Sequence, residues 1–372
     1  MAWPTITINQ LNQMQGDTAD VERHFLFVGK GSKGVDTLIS VNTQTDFDDV
    51  FGDTDSDLKT NLQAAMLNAG QNWTAAAYVL ASDGDWTDAV REANKTQSFE
   101  IVVLCDPIAD DAKAEITKAQ ALKAEMIATY GRFTRVLLAV VGIDAATQAW
   151  ADYETKLVAL QDSIAADGVG LIPAIWPNTI GMYAGRLCNR AASIADSPCR
   201  VKTGALIGDD QTLPVDKDGV ELTTATLQTL EDNRFSVPMW WPDYDGIYWA
   251  DGRMLDVEGG DYQVIEYCRV MDKVSRKMRI RAIARIGDRS FNSTPYSTAA
   301  ATKYFLADMR AMSKSTLFNG EMFPGEIEPP SDDDFAITWK SKTSVKLYAK
   351  ATPYDCPKSI EINLMLDLST AA

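Results

Sequence analysis

His24 is the only imidazole in this 372-residue chain, so histidine cages for a transition metal are excluded and one candidate base remains for nucleophilic catalysis. It stands directly before the apolar run Phe25–Val28, where a packed histidine is the expectation. No serine or cysteine can be assigned to it as a nucleophile. The run Gly29-Lys30-Gly31-Ser32-Lys33-Gly34 fits GxGxxG. A dinucleotide site needs that loop to open into a helix whose N-terminus meets the pyrophosphate. Here Val35–Val41 alternates and is β-branched, so the glycines predict a hairpin-like turn between two strands. Nor does GK[ST] follow at the spacing of a Walker A loop. Asp53-Thr54-Asp55-Ser56-Asp57 copies the start of a calcium loop, but Leu58 replaces the turning glycine and Asn61–Ala65 supplies no closing glutamate. Solvated loop charge is the expectation there, and at Asp46/Asp48/Asp49 and Asp332/Asp333/Asp334. Cys105, Cys188, Cys199, Cys268 and Cys356 contain no CxxC pair, which predicts reduced, buried thiols rather than a zinc site or disulfide framework. The expectation is a chain with no cofactor, no metal and no catalytic residues.

The elements that would position any site alternate. Phe25–Val28 and Thr37–Val41 read as strands, with a short helix around Phe47–Phe51 closing at Gly52. Helices are predicted over Leu58–Ala69, Trp86–Lys95, Ala112–Tyr130, Ala145–Ala165 and Ile180–Ile194. Strands are predicted over Ala75–Leu80, Glu100–Cys105, Arg135–Val141 and Val169–Ile175. Continuous apolar strands between helices indicate a mixed sheet covered on both faces, an α/β (α+β) fold in several domains. Between 199 and 260, Pro214, Asp218-Gly219, Pro238, Pro242, Asp245-Gly246 and Gly259-Gly260 mark short strands and turns. The aromatics Phe235, Trp240, Trp241, Tyr244, Tyr248 and Trp249 predict packing at a junction. The boundaries that follow are an N-terminal arm 1–20, an α/β domain 21–198, a β-rich junction 199–260, an α+β domain 261–356 and a C-terminal arm 357–372.

Tyr262–Arg285 has the strongest helical pattern, with Val264, Cys268, Met271, Ser275, Met278 and Ala282 on one stripe. Arg269, Lys273, Arg276 and Lys277 fall opposite. Eight bases against four acids over 261–289 stand out in a chain of net charge −17, and predict a basic face for an acidic partner. Thr294-Pro295 then supplies an N-cap and first-turn proline for a helix to about Met312. Phe335–Trp339 and Val345–Ala349 read as strands. After Pro357, Ile360, Ile362, Leu364, Leu366 and Leu368 share one face of a terminal strand. At the other end Ile6 and Ile8 alternate with polar residues. Both strands could pair within their own domain, or each could be donated to a neighbouring copy.

The net charge argues against nucleic acid and against anionic membrane surfaces. The longest apolar run, Val136–Val141, is far short of the roughly 20 residues of a membrane span. No lysine or arginine occurs in residues 1–20, so a secretory n-region is missing and folding in a cytoplasm is expected.

Several segments, taken in order, resemble contractile-tail sheath proteins. Phe27-Val28-Gly29-Lys30-Gly31-Ser32-Lys33-Gly34, Thr37-Leu38-Ile39-Ser40, Phe47 and Phe51-Gly52 are similar to the opening of that family. Gly246-Ile247-Tyr248-Trp249-Ala250-Asp251-Gly252-Arg253-Met254-Leu255, the Arg-rich helix and the closing strand resemble its core. The resemblance implies a structural subunit of a phage tail, bacteriocin or related injection machine. Such subunits form hexameric rings of a helical homo-oligomer around an inner tail tube, bounded by baseplate and tail terminator proteins. They assemble in the host bacterial cytoplasm and contract to drive the tube through a cell envelope. It also implies strand exchange through Thr5–Asn9 and Ser359–Leu368, and a tube-facing role for Arg269, Lys273, Arg276 and Lys277. The competing expectation, resting on the sheet pattern alone, is a cytoplasmic α/β nucleotide-binding enzyme.

Overall fold

The computed structural model describes residues 21–208, 212–318 and 320–366. Its centre is a six-stranded sheet built from β1 (Phe25–Lys30), β2 (Leu38–Asn42), β3 (Thr74–Leu80), β4 (Ile101–Ile108), β5 (Arg135–Val140) and β6 (Val169–Pro173). The spatial order is β2-β3-β1-β4-β5-β6. All neighbours run parallel except β2, which pairs antiparallel with β3 at the edge. The central strands are buried at nearly every residue, as expected of a parallel sheet covered on both faces.

The covering helices include α2 (Asp57–Ala69), α3 (Trp86–Thr96), α4 (Lys113–Tyr130), α5 (Trp150–Gln161) and α6 (Thr179–Cys188), with α1 (Phe47–Phe51) a single turn ahead of them. Their starts follow local chemistry. Asp46, Ser56 and Asp85 each accept a backbone N–H of the first turn, satisfying donors the helix cannot. Helices α2 and α6 approach each other closely because Gly181 and Gly185 present no side chain. A Cβ on Gly185 would lie 2.8 Å from Ala65 Cα and from Asn68 Cβ.

Residues 199–260 add α7 (Thr224–Asp232) and the hairpin β7 (Pro238–Trp241) and β8 (Tyr244–Trp249). Leu206, Leu222, Leu227, Phe235, Val237, Trp249 and Leu255 pack into the same hydrophobic core as the sheet. Ser236 N donates to Leu171 O at 2.9 Å, tying this segment to β6. The remainder comprises α8 (Ile265–Ile283), α9 (Pro295–Met312), the hairpin β9 (Thr316–Phe318) and β10 (Glu321–Phe323), and the hairpin β11 (Phe335–Ser341) and β12 (Ser344–Ala349). Val270, Val274, Phe305, Leu306, Met309, Ile327 and Phe335 form a second core. Thr294 caps α9 through Ser297 N, with Pro295 in the first turn, as its sequence predicts.

Three expectations are corrected. The glycine-rich segment is not a hairpin turn, because β3 lies between β1 and β2. The segment passes over the end of β3 instead: Asp36 N donates to Val79 O at 2.8 Å, and a Cβ on Gly31 would sit 2.8 Å from Val79 Cγ1. The helix expected over Ala145–Ala165 begins only at Trp150, since Asp144 turns the chain by accepting Ala146 N and the Thr147 hydroxyl. The one expected over Ile180–Ile194 stops at Cys188, where Asn189 leaves helical geometry and its side chain caps Ala191 N. Residues 359–366 form no secondary structure within this chain.

Candidate functional site

None of the tempting motifs assembles a chemical site. His24 stacks on Phe99 at 5.4 Å and bonds Gln97 through Nε2 at 3.1 Å, and burial lowers its pKa. In the acidic segments near α1 and α2, Lys59 occupies the centre. Its Nζ lies 2.6 Å from Asp48 and 3.3 Å from Asp55, and donates to Gly52 O at 3.0 Å. Cys105, Cys188 and Cys268 are buried free thiols, and Cys199 and Cys356 are half-buried.

The basic residues of α8 form an internal network, and this corrects the expected basic face. Arg269 is buried, its side chain 3% exposed, and pairs with Glu100, 2% exposed, at 2.7 Å. A second bond to that carboxylate spans 3.0 Å, and Arg269 Nη1 donates to Leu187 O at 3.0 Å. Desolvation opposes the Arg269 charge, but Glu100 outweighs it and raises the guanidinium pKa. One turn on, Asp272 receives two 2.7 Å bonds from Arg135 at the head of β5. Arg276 bonds Glu22 at 2.7 Å and Phe133 O at 3.1 Å. Burial works against the Glu22 charge, yet Arg276 prevails and holds its pKa below the ordinary value. Lys273 pairs with Glu326 at 2.7 Å. These bases sit on α8 because acids from three distant segments, Glu22, Glu100 and Glu326, need partners when folded, and a buried carboxylate without one is costly. Of the four expected tube-facing residues, only Lys277 is in no hydrogen bond or close ion pair among the described residues, though its charge helps to lower the Asp308 pKa. With Lys273 and Lys314 it lines a groove of ≈ 250 Å³ between α8, α9 and β9.

The second feature is the C-terminal segment. After β12 the chain runs along the body: Glu328 N donates to Thr352 O at 2.7 Å and Ile327 bridges Pro353. Cys356 Sγ lies 3.6 Å from Ala195 O. Lys358 Nζ then donates to both Asp251 oxygens at 2.7 Å and meets Glu266 at 2.8 Å. Burial disfavours the Lys358 charge, but Glu266 and then Asp251 outweigh that and raise its pKa. Desolvation raises the Glu266 pKa against Lys358. Beyond this point the body is left behind. Ile360 is 76% exposed, Leu364 91% and Met365 95%, with Ile362 and Leu366 similarly bare. Leu368, Ile6 and Ile8 lie outside the described residues. Exposed apolar groups on a backbone with no strand partner within the chain form an uncovered apolar patch. Sequence reasoning missed Lys358 and its acids. The signal available was a lysine directly after Pro357, at the foot of an otherwise apolar-patterned tail.

Comparison with known proteins gives the family. The description "DUF2586, N-terminal domain" matches residues 3–253 and "DUF2586, C-terminal domain" matches 261–369. The protein assigned as the tail sheath of Haemophilus phage HP1 (strain HP1c1) is 52% identical over 373 residues, covering 99% of both chains. This chain belongs to the contractile tail sheath family. Sheath-type folds are also seen in solved structures. A chain of the anti-feeding prophage baseplate matches with a TM-score of 0.60 at 11% identity, covering 99% of this chain and 100% of that one. The sheath complex of an extracellular contractile injection system, PVC, in its contracted state matches at 0.62 and 13% identity, covering 99% and 98%. A sheath tail protein from Desulfitobacterium hafniense matches at 0.52 and 11% identity, covering 94% and 96%. The sheath fold is thus retained where little sequence identity remains.

Proposed function

We propose that this chain is the structural subunit of a contractile tail sheath, polymerising with copies of itself into a helical array. The observation that carries the reading is the segment Ser359–Leu366: without secondary structure, unpaired, exposed, and apolar at every second position. In this reading it is donated as a strand to a neighbouring copy, with Leu368 continuing the face and Ile6 and Ile8 forming the opposite arm. Added strands bind through backbone hydrogen bonds that depend little on side-chain detail, so the links persist while the bodies rotate. The array surrounds an inner tail tube between baseplate and tail terminator proteins, in the tail of the virion. Arg269 takes no part in tube contact, because its charge is consumed internally. Of the four residues expected to face the tube, Lys277 is the one not held in a close ion pair, and with Lys314 beside it in the groove it offers charge to an acidic tube. Exposed pairs of that kind contribute about 0–1 kcal/mol each and can break together on contraction.

Truncation after Lys358 tests the reading. The expected product is a folded monomer with an unchanged melting temperature that forms no cylinders by negative-stain microscopy. Cylinders from the truncated chain would overturn it, as would global unfolding seen by circular dichroism.

A further inference from the structure

We infer that Lys358 is the pivot dividing the C-terminal segment into a body-bound part and a donated part, and that it sets where the arm leaves the subunit. The inference rests on the sheath reading and assigns a positioning residue within it. Residues up to 358 are held by successive contacts: the Ile327–Pro353 bridge, Cys356 against Ala195 O, and finally the Lys358 ammonium between two carboxylates. From Ser359 to Leu366 the only side-chain hydrogen bond among the described residues is internal, Asn363 Nδ2 to Glu361 Oε1 at 3.2 Å. The change from held to free therefore falls at one residue.

The two acids come from different parts of the fold. Asp251 follows β8, which packs in the first core, while Glu266 stands in the first turn of α8. Both are almost fully buried, and Glu266 Oε2 has no hydrogen-bond partner. Two buried carboxylates share one ammonium, so the lysine charge is what permits the acids to sit together. An arm fixed at its base presents its apolar face from a defined point. If the pin is lost, only the weak Cys356 contact holds the chain after the Ile327–Pro353 bridge, and once that yields the starting point wanders over about 13 Å on the scaling for a flexible linker of five residues. That dilutes the correctly aimed arm and slows each strand addition.

The test compares Lys358→Met, Lys358→Arg and the triple variant Asp251→Asn/Glu266→Gln/Lys358→Met with the arm truncation. Polymerisation is followed by light scattering and microscopy, and amide exchange is read over residues 353–358. Lys358→Met is expected to polymerise about tenfold or more slowly, with faster exchange at 353–358, and Lys358→Arg to return to within about twofold of the parent. The triple variant removes the buried charges together with the pin, so it stays folded and shows the same slowing. A folded Lys358→Met or triple variant that assembles at the parent rate, while the truncation still fails to assemble, overturns the pivot and leaves the sheath reading standing. Assembly of the truncation itself overturns the reading beneath it.

Discussion

Replacing Arg269 by methionine removes one half of a buried ion pair and leaves the Glu100 carboxylate with only the Arg23 amide as a donor. The lost attraction is about 4 kcal/mol for unit charges about 4 Å apart at an effective dielectric near 20. The bond to Leu187 O goes too, and a buried carboxylate is stranded. Removing one member of such a pair destabilises by about 3–5 kcal/mol. Urea unfolding of the unpolymerised chain, followed by tryptophan fluorescence, is expected to show that loss for Arg269→Met. The double variant Arg269→Met/Glu100→Leu should recover much of it, because an apolar pair of similar volume carries no stranded charge. Non-additivity of at least about 2 kcal/mol in the cycle is the expected signature. The refuting result is Arg269→Met within about 0.5 kcal/mol of the parent together with weakened assembly on a tube. That would mean the guanidinium faces a partner, not Glu100.

The pair between Glu22 and Arg276 supplies a pH dependence. Because the folded pKa of Glu22 is depressed, its stabilisation is present above the unfolded value and lost as pH falls through the folded one. Glu22→Gln should therefore lower stability by about 1–3 kcal/mol at pH 7, with the gap to the parent closing below about pH 4 in urea titrations at both values. Gly185→Ala forces a methyl group against Ala65 and Asn68 where α6 crosses α2. Thermal melts should show a net loss of about 1–3 kcal/mol, outweighing the helix-propensity gain of about 1 kcal/mol.

What the sequence disclosed is what periodicity carries. Apolar runs such as Ile101–Leu104 and Val136–Val140 announce central strands, and Thr294-Pro295 announces a helix start, because those signals are local. The crossover at Gly29–Gly34 was not legible: a glycine-rich turn looks the same whether its two strands pair with each other or with a third between them. The role of Arg269 was hidden for a related reason. Its partner Glu100 is 169 residues away, and helical spacing places a charge on a face without saying what covers that face. A clue did exist, since Glu100 and Arg135 each stand at the head of an apolar strand where an unpaired charge would be expensive. The terminal face of Ile360, Ile362, Leu364 and Leu366 was readable throughout, because alternation survives whether or not a partner strand is present.

Helix α8 receives Lys358 at Glu266 in its first turn, and a few residues later it grips Glu100 and Arg135 at the heads of β4 and β5. With the tail donated as proposed, traction on it would enter the rod of α8 and be delivered to two inner strands, each flanked by a ladder of backbone bonds on both sides. A pull from outside would be spread across the middle of the six-stranded sheet and would not peel an edge.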